Sequence, residues 1–116
     1  MLNPTVSKAF LFAFSLCLSS LTSAGQQTGF VSALHVRASD GLTYFFLNGS
    51  AMADAPACAT HGYWMIKDET SKAGERQYAL LLAAAAAKKE ISVVGMNSCS
   101  RWSDGEDVNA ITWSNP

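Results

Sequence analysis

After residue 28 the chain falls into short apolar runs separated by turn-forming residues. Gly29 to Arg37 is rich in β-formers (Phe30, Val31, Leu34, Val36) and ends at Ala38-Ser-Asp-Gly41, a turn signal. Leu42-Thr-Tyr-Phe-Phe-Leu47 follows, apolar on both faces, and stops at Asn48-Gly49. Together they predict a hairpin whose second strand is central or covered on both sides. Residues 50–62 hold Pro56, Cys58 and several alanines, the makings of an irregular connection, and Tyr63 to Lys67 predicts a short third strand. Asp68-Glu-Thr-Ser-Lys72 is polar and suited to start a helix, which propensity extends from Ala73 to Lys89. Tyr78, Leu81, Leu82 and Ala85 stand at i, i+3, i+4 and i+7 and predict its apolar stripe. Lys88 and Lys89 lie where the helix dipole favours cations. Ile91 to Val94 predicts a fourth strand stopped by Gly95, Met96 to Asp107 a polar loop, and Val108 to Trp113 the last strand.

The predicted order is β-β-β-α-β-β, mostly β with one helix. Five short strands with a helix between the third and fourth is the order of the OB-fold, a small, partly open barrel that binds oligosaccharides or oligonucleotides. A plain α+β sandwich is the competing architecture.

The first 24 residues change the picture of the whole. Lys8 precedes the apolar stretch Ala9 to Leu18, and Thr22-Ser-Ala24 places small residues where a signal peptidase cuts. The stretch is far short of the roughly twenty residues that span a bilayer. Residues 1–24 therefore predict a signal peptide, and residues 25–116 a single secreted or periplasmic domain with no membrane span. Leu16 before Cys17 argues against a lipoprotein site, so Cys17 leaves with the signal. The eight Lys+Arg, less Lys8, stand against nine Asp+Glu, about −2 for the mature part, with the basic residues scattered. Nothing in that balance suits a nucleic-acid partner.

Once the signal is gone, Cys58 and Cys99 are the remaining cysteines, in a compartment that permits disulfides. They predict an intramolecular bridge. The alternative is zinc on Cys58, His61 and Cys99 with His35 as fourth ligand, but no second paired motif supports it. No nucleophile elbow, zinc-protease motif or phosphate-binding glycine loop is present, and paired cysteines are not nucleophiles. The expectation is a protein without catalytic residues, metal or cofactor. Asp104-Gly-Glu-Asp107 lacks the calcium-loop pattern and predicts a solvated turn. Asn48-Gly49-Ser50 matches a glycosylation sequon and is taken as a turn.

The aromatic and polar side chains near the predicted loops are the candidate ligand contacts. OB-folds bind ligands across strands two and three and the loops joining strands one to two and four to five. Here the four-to-five loop offers Arg101, Trp102 and Asp104: a donor fork, a stacking face and an acceptor. Strand three adds Tyr63 or Trp64, which alternate between opposite faces. Against this, Trp102 stands three residues from Cys99 and has the place of a ring packed over the disulfide.

From about Gly29 to Trp113 the chain resembles the secreted B-subunit group of subtilase-cytotoxin and pertussis-like bacterial toxins, most closely its small uncharacterised relatives. The features that carry the resemblance are Gly29, Tyr44-Phe45 before Gly49, Pro56-x-Cys58, an alanine-rich helix, Val93-Val94-Gly95-x3-Cys99, and Asp104 and Glu106 before the last strand. The resemblance implies an OB-fold, a homo-oligomer built as a ring-shaped pentamer, and glycan binding. It adds Thr28 as a polar sugar contact at the start of strand one. The chain is shorter than those subunits between strands three and four. Two function classes follow: a secreted module that binds a glycan or a protein, or a small envelope structural or inhibitor-like protein without a small ligand.

Overall fold

The computed structural model describes residues 24–113. All of the predicted signal segment except Ala24 lies outside the described residues. The domain is mostly β with one helix: β1 (Gln26–Val36), β2 (Thr43–Gly49), β3 (Trp64–Met65), α1 (Lys72–Ala87), β4 (Ile91–Gly95) and β5 (Glu106–Trp113). The strands close on themselves in the order β1-β2-β3-β5-β4, with β4 pairing back onto β1. The β3–β5 pair is parallel and the other four are antiparallel.

The inner face holds Phe45, Leu47, Trp64, Ile66, Ile91, Val93 and Val108, and α1 closes over it with Leu81 and Ala84. An irregularity in β1 between Val31 and Ala33 sets which residues enter. A bulge there lets Val31 and Leu34, three apart, both pack on the core, and it turns His35 outward.

Ser71 caps α1 by accepting from the Gly74 N–H at 3.0 Å, and Lys88 ends it in the left-handed conformation at φ 51°. The predicted apolar stripe needs correction. Gly74, Leu81 and Ala84 form the buried face, whereas Leu82 is 46% exposed. Each helical residue turns the face by about 100°. Centring it on Leu81 and Ala84 therefore leaves Leu82 at the solvent edge.

Strand boundaries moved for identifiable reasons. The polar run before Gly29 is strand, because Gln26 to Gly29 pair with Val94 to Ile91, and ladder hydrogen bonds need no apolar side chains. Gln27 contributes further, its Oε1 accepting from Trp64 Nε1–H at 2.8 Å. Asn48-Gly49 ends β2 and is not a turn. Gly49 pairs with Gly29, and a Cβ on Gly49 would lie 2.4 Å from the Thr28 carbonyl oxygen. Only glycine permits that approach. The third strand shrinks to two residues, and β5 begins at Glu106 within the segment predicted to be a solvated turn. Glu106 and Asp107 are both fully buried.

Asp107 explains how an acidic pair can sit inside. Its carboxylate accepts from the Ser98 hydroxyl (2.8 Å), the Ser100 hydroxyl (2.5 Å), the Ser100 N–H (2.9 Å) and the Arg101 N–H (3.1 Å). Burial pushes the carboxyl up, but these donors outweigh it and hold Asp107 below the usual carboxylate range. The β4–β5 loop is thus wound around one anion. Cys58 and Cys99 are disulfide-bonded with Cα atoms 6.2 Å apart, tying that loop to the β2–β3 connection. Neither sulfur is a thiolate that could bind zinc, and among the described residues no cluster of three or more His, Cys, Asp or Glu could hold a metal. No described helix is long and apolar enough to cross a membrane.

Candidate functional site

Alternation along β2 sends Phe45 and Leu47 inward and leaves Tyr44 and Phe46 half-buried on the outside. Register then decides their neighbours. His35 pairs with Tyr44 across β1–β2, and their rings stack 4.6 Å apart at 11°. Tyr63, just ahead of β3, packs on Tyr44 at 5.3 Å and on Phe46 at 5.6 Å. His61 lies 5.8 Å beyond Tyr63, nearly parallel to it. A continuous aromatic face therefore runs across the outside of β1, β2 and the approach to β3.

Two loops rim this face. In the β1–β2 turn Arg37 grips Asp40 through both carboxylate oxygens at 2.9 and 2.5 Å, and Gly41 takes the φ of +76° that closes the turn. That pairing, with the Leu42 N–H on Asp40, holds the Asp40 carboxyl far below its ordinary range. The Arg37 guanidinium lies over the Trp102 ring, 4.4 Å from its centroid. Arg37, Leu42, Tyr44, Tyr63, Met65 and Trp102 together line a shallow cleft of about 120 Å³.

At the other side of Tyr63, its hydroxyl donates to Asp104, whose second oxygen lies 3.5 Å from His61 Nδ1. Burial and then this hydrogen bond to a carboxylate push the Tyr63 phenol up to about 12. Ultraviolet titration should therefore resolve one phenol ionising well above the ordinary value of about 10, and Asp104→Asn should bring it part of the way down. A tyrosine set with no such high-titrating member would contradict the Tyr63–Asp104 contact.

The sequence-predicted contacts are redistributed. Tyr63, Trp102 and Asp104 do come together at this face. Trp102 is 40% exposed, and the loop wound on Asp107 presents the ring to Arg37. Trp64 is fully buried with its indole N–H on Gln27, so it is core and no ligand contact. Arg101 borders the face without a free fork, since Nε donates to Glu69 at 2.9 Å and an η nitrogen to the Asp40 carbonyl at 3.1 Å. It clamps the β1–β2 turn, the lead into α1 and the β4–β5 loop. Thr28 sits at the opposite end of β1, nine residues or about 30 Å from Arg37. There its hydroxyl shares a hydrogen bond with Ser92 at 3.0 Å.

His35, Arg37, Leu42, Tyr44 and Phe46 are contributors that loop-centred reasoning missed. For Tyr44 and Phe46 a signal was present in Tyr44-Phe45-Phe46-Leu47, which puts both rings outside whenever Phe45 and Leu47 face the core. No family model, curated protein or solved structure matches the chain.

Proposed function

We propose that this is an exported, non-enzymatic binding module of the OB-fold type, whose aromatic face over β1–β3 takes a sugar ring of a glycan. The observation that carries the reading is the contiguous face of His35, Tyr44, Phe46 and Tyr63, with Trp102 exposed at its rim. The C–H side of a pyranose stacks on such rings, while edge groups such as Asp104 and His61 are placed for its hydroxyls. The face spans the strands and loops that OB-folds use for ligands. Stacking would suit a nucleobase equally, but the described surface supplies no run of cations to follow a phosphate backbone.

The test is a glycan array probed with exported protein, followed by titration of any hit against Trp102→Ala and Tyr44→Ala. Trp102→Ala should weaken binding at least about tenfold, near 1.4 kcal/mol, while stability falls by about 1–2 kcal/mol, less than the ~3–5 kcal/mol of a core ring. Binding untouched by both substitutions would place the glycan elsewhere. No binding to any glycan would overturn the reading and favour an envelope structural protein.

The reading extends to a homo-oligomeric ring, as the toxin-subunit resemblance implies. Support comes from the outer side of α1, where Ala79, Leu82, Ala83 and Ala86 are exposed, and from Phe30, 47% exposed on β1. Light scattering on the exported protein should give a multiple of the protomer mass, five for a pentamer. A monomer at micromolar concentration would remove the ring and leave the binding face untouched.

A further inference from the structure

Glu106 is fully buried, yet its carboxylate has no cation beside it among the described residues. Two backbone N–H groups, from Gly25 and Asn97, both donate to Oε2 at 3.0 Å. The other oxygen, Oε1, is buried without any hydrogen-bond partner. A carboxylate in that position is costly unless it is paired and hydrogen-bonded. The surrounding backbone is shaped to the group. A Cβ on Gly25 would lie 2.2 Å from Oε1, and one on Gly95 would lie 1.8 Å from Oε2. Gly25 is held in place as well, since its carbonyl accepts from the Gly95 N–H at 2.8 Å.

One of the two donors stands at the junction where the sequence predicts a signal peptidase to cut. We infer that cleavage between Ala24 and Gly25 turns the Gly25 nitrogen into the cationic partner of the buried Glu106 carboxylate, so that processing completes the barrel. Hydrolysis consumes one water: Ala24 departs with a carboxylate, and the nitrogen retained by Gly25 becomes an ammonium. In the uncut chain that nitrogen offers one N–H and no charge. In the cut chain it offers three N–H groups and a positive charge, 3.0 Å from Oε2. The buried anion then has a cation in contact with it. The pairing also selects the cut, because a terminus one residue longer leaves an amide at Gly25, and one residue shorter removes the nitrogen.

The inference rests on the export reading, and the experiment separates the two. The full chain is exported from a bacterial host, and the recovered protein is sequenced from its amino terminus. Folded and urea-unfolded samples are then acylated at neutral pH with limiting reagent. A start at Gly25 is expected. So is an α-amine at least about tenfold less reactive in the folded protein, the loss of free amine that a one-unit rise in its pKa produces. Glu106→Gln should abolish that protection, and if this variant does not fold, the wild-type comparison decides. A start at Gly25 with an α-amine equally reactive in both states would overturn the pairing while leaving export intact. A start at another residue near the predicted cut would overturn the pairing and leave export intact, and an uncut chain would overturn both.

Discussion

Asp107→Ala should destabilise the domain by about 3–5 kcal/mol. Four hydrogen bonds converge on this carboxylate, two of them from backbone N–H groups of the β4–β5 loop. Hydrogen bonds to an ionised acceptor contribute about 1.5–3 kcal/mol each, and the donors left behind lie at a fully buried position where water replaces them poorly. Losses are shared because the loop relaxes, which keeps the total below the sum. Asp107→Asn keeps one acceptor and the shape, so it should cost less, about 1–3 kcal/mol. The two variants also test the acid limb of stability. A carboxyl whose folded-state pKa is depressed stabilises fully above its unfolded value of about 3.9, and loses that contribution as pH falls through the folded value. Wild-type protein should therefore weaken below about pH 4, and Asp107→Asn should flatten that descent. Asp40 and Asp68 are also held low, but both are at the surface, where solvent and salt screen what they contribute. Urea denaturation across the acid range measures all of this, and an unchanged acid limb in Asp107→Asn would assign it elsewhere.

Loss of the disulfide should be comparably severe. The bridge joins residues 41 apart, and on the chain-entropy account a closed loop of that length restrains the unfolded chain by about 4 kcal/mol. Cys58→Ser should therefore cost about 2–5 kcal/mol in a domain whose total stability is expected to be about 5–15 kcal/mol. Its effect should not stop at stability. Cys99 lies in the loop that carries Trp102 and Asp104, so the variant should also loosen the aromatic rim. Denaturation midpoints of oxidised, reduced and Cys58→Ser protein provide the measurement. Equal midpoints for the three would mean that the bridge restrains a loop and not the fold.

Runs of β-formers bounded by turn residues made most strands legible, and helix propensity did the same for α1, because such runs mark the segments that enter the core. Glu106 and Asp107 were missed for the converse reason. A charge in a sequence stands for solvent until its partners are known, and these partners are backbone N–H groups and the serines of Ser98-Cys-Ser100. Of the two tryptophans offered as ligand contacts, Trp64 is core and Trp102 is exposed. Trp64 sits in a two-residue strand whose neighbours, not its own alternation, bury it. Trp102 follows a cysteine closely, yet the turn around Asp107 directs it outward. Thr28 stands apart from the aromatic face, since strand β1 carries it to the other end of the barrel. Of the face itself, Tyr63, Trp102 and Asp104 could be picked out by residue type. The rings of β1 and β2 needed the register, which a bulge near Ser32 had shifted.

The mutual packing of His35, Tyr44, Phe46 and Tyr63 has a consequence for the entropy of recognition. Each ring is held by the next, and Tyr63 is anchored further through Asp104. An arriving ligand meets side chains whose rotamers are already restricted, so little of its contact energy is lost to ordering them. Rigid aromatics carry few rotatable bonds in any case, which is why they favour binding surfaces. On the proposed glycan reading, the cleft of about 120 Å³ would limit how much area one sugar ring covers, and the preset rings would raise the fraction of that contact which appears as affinity.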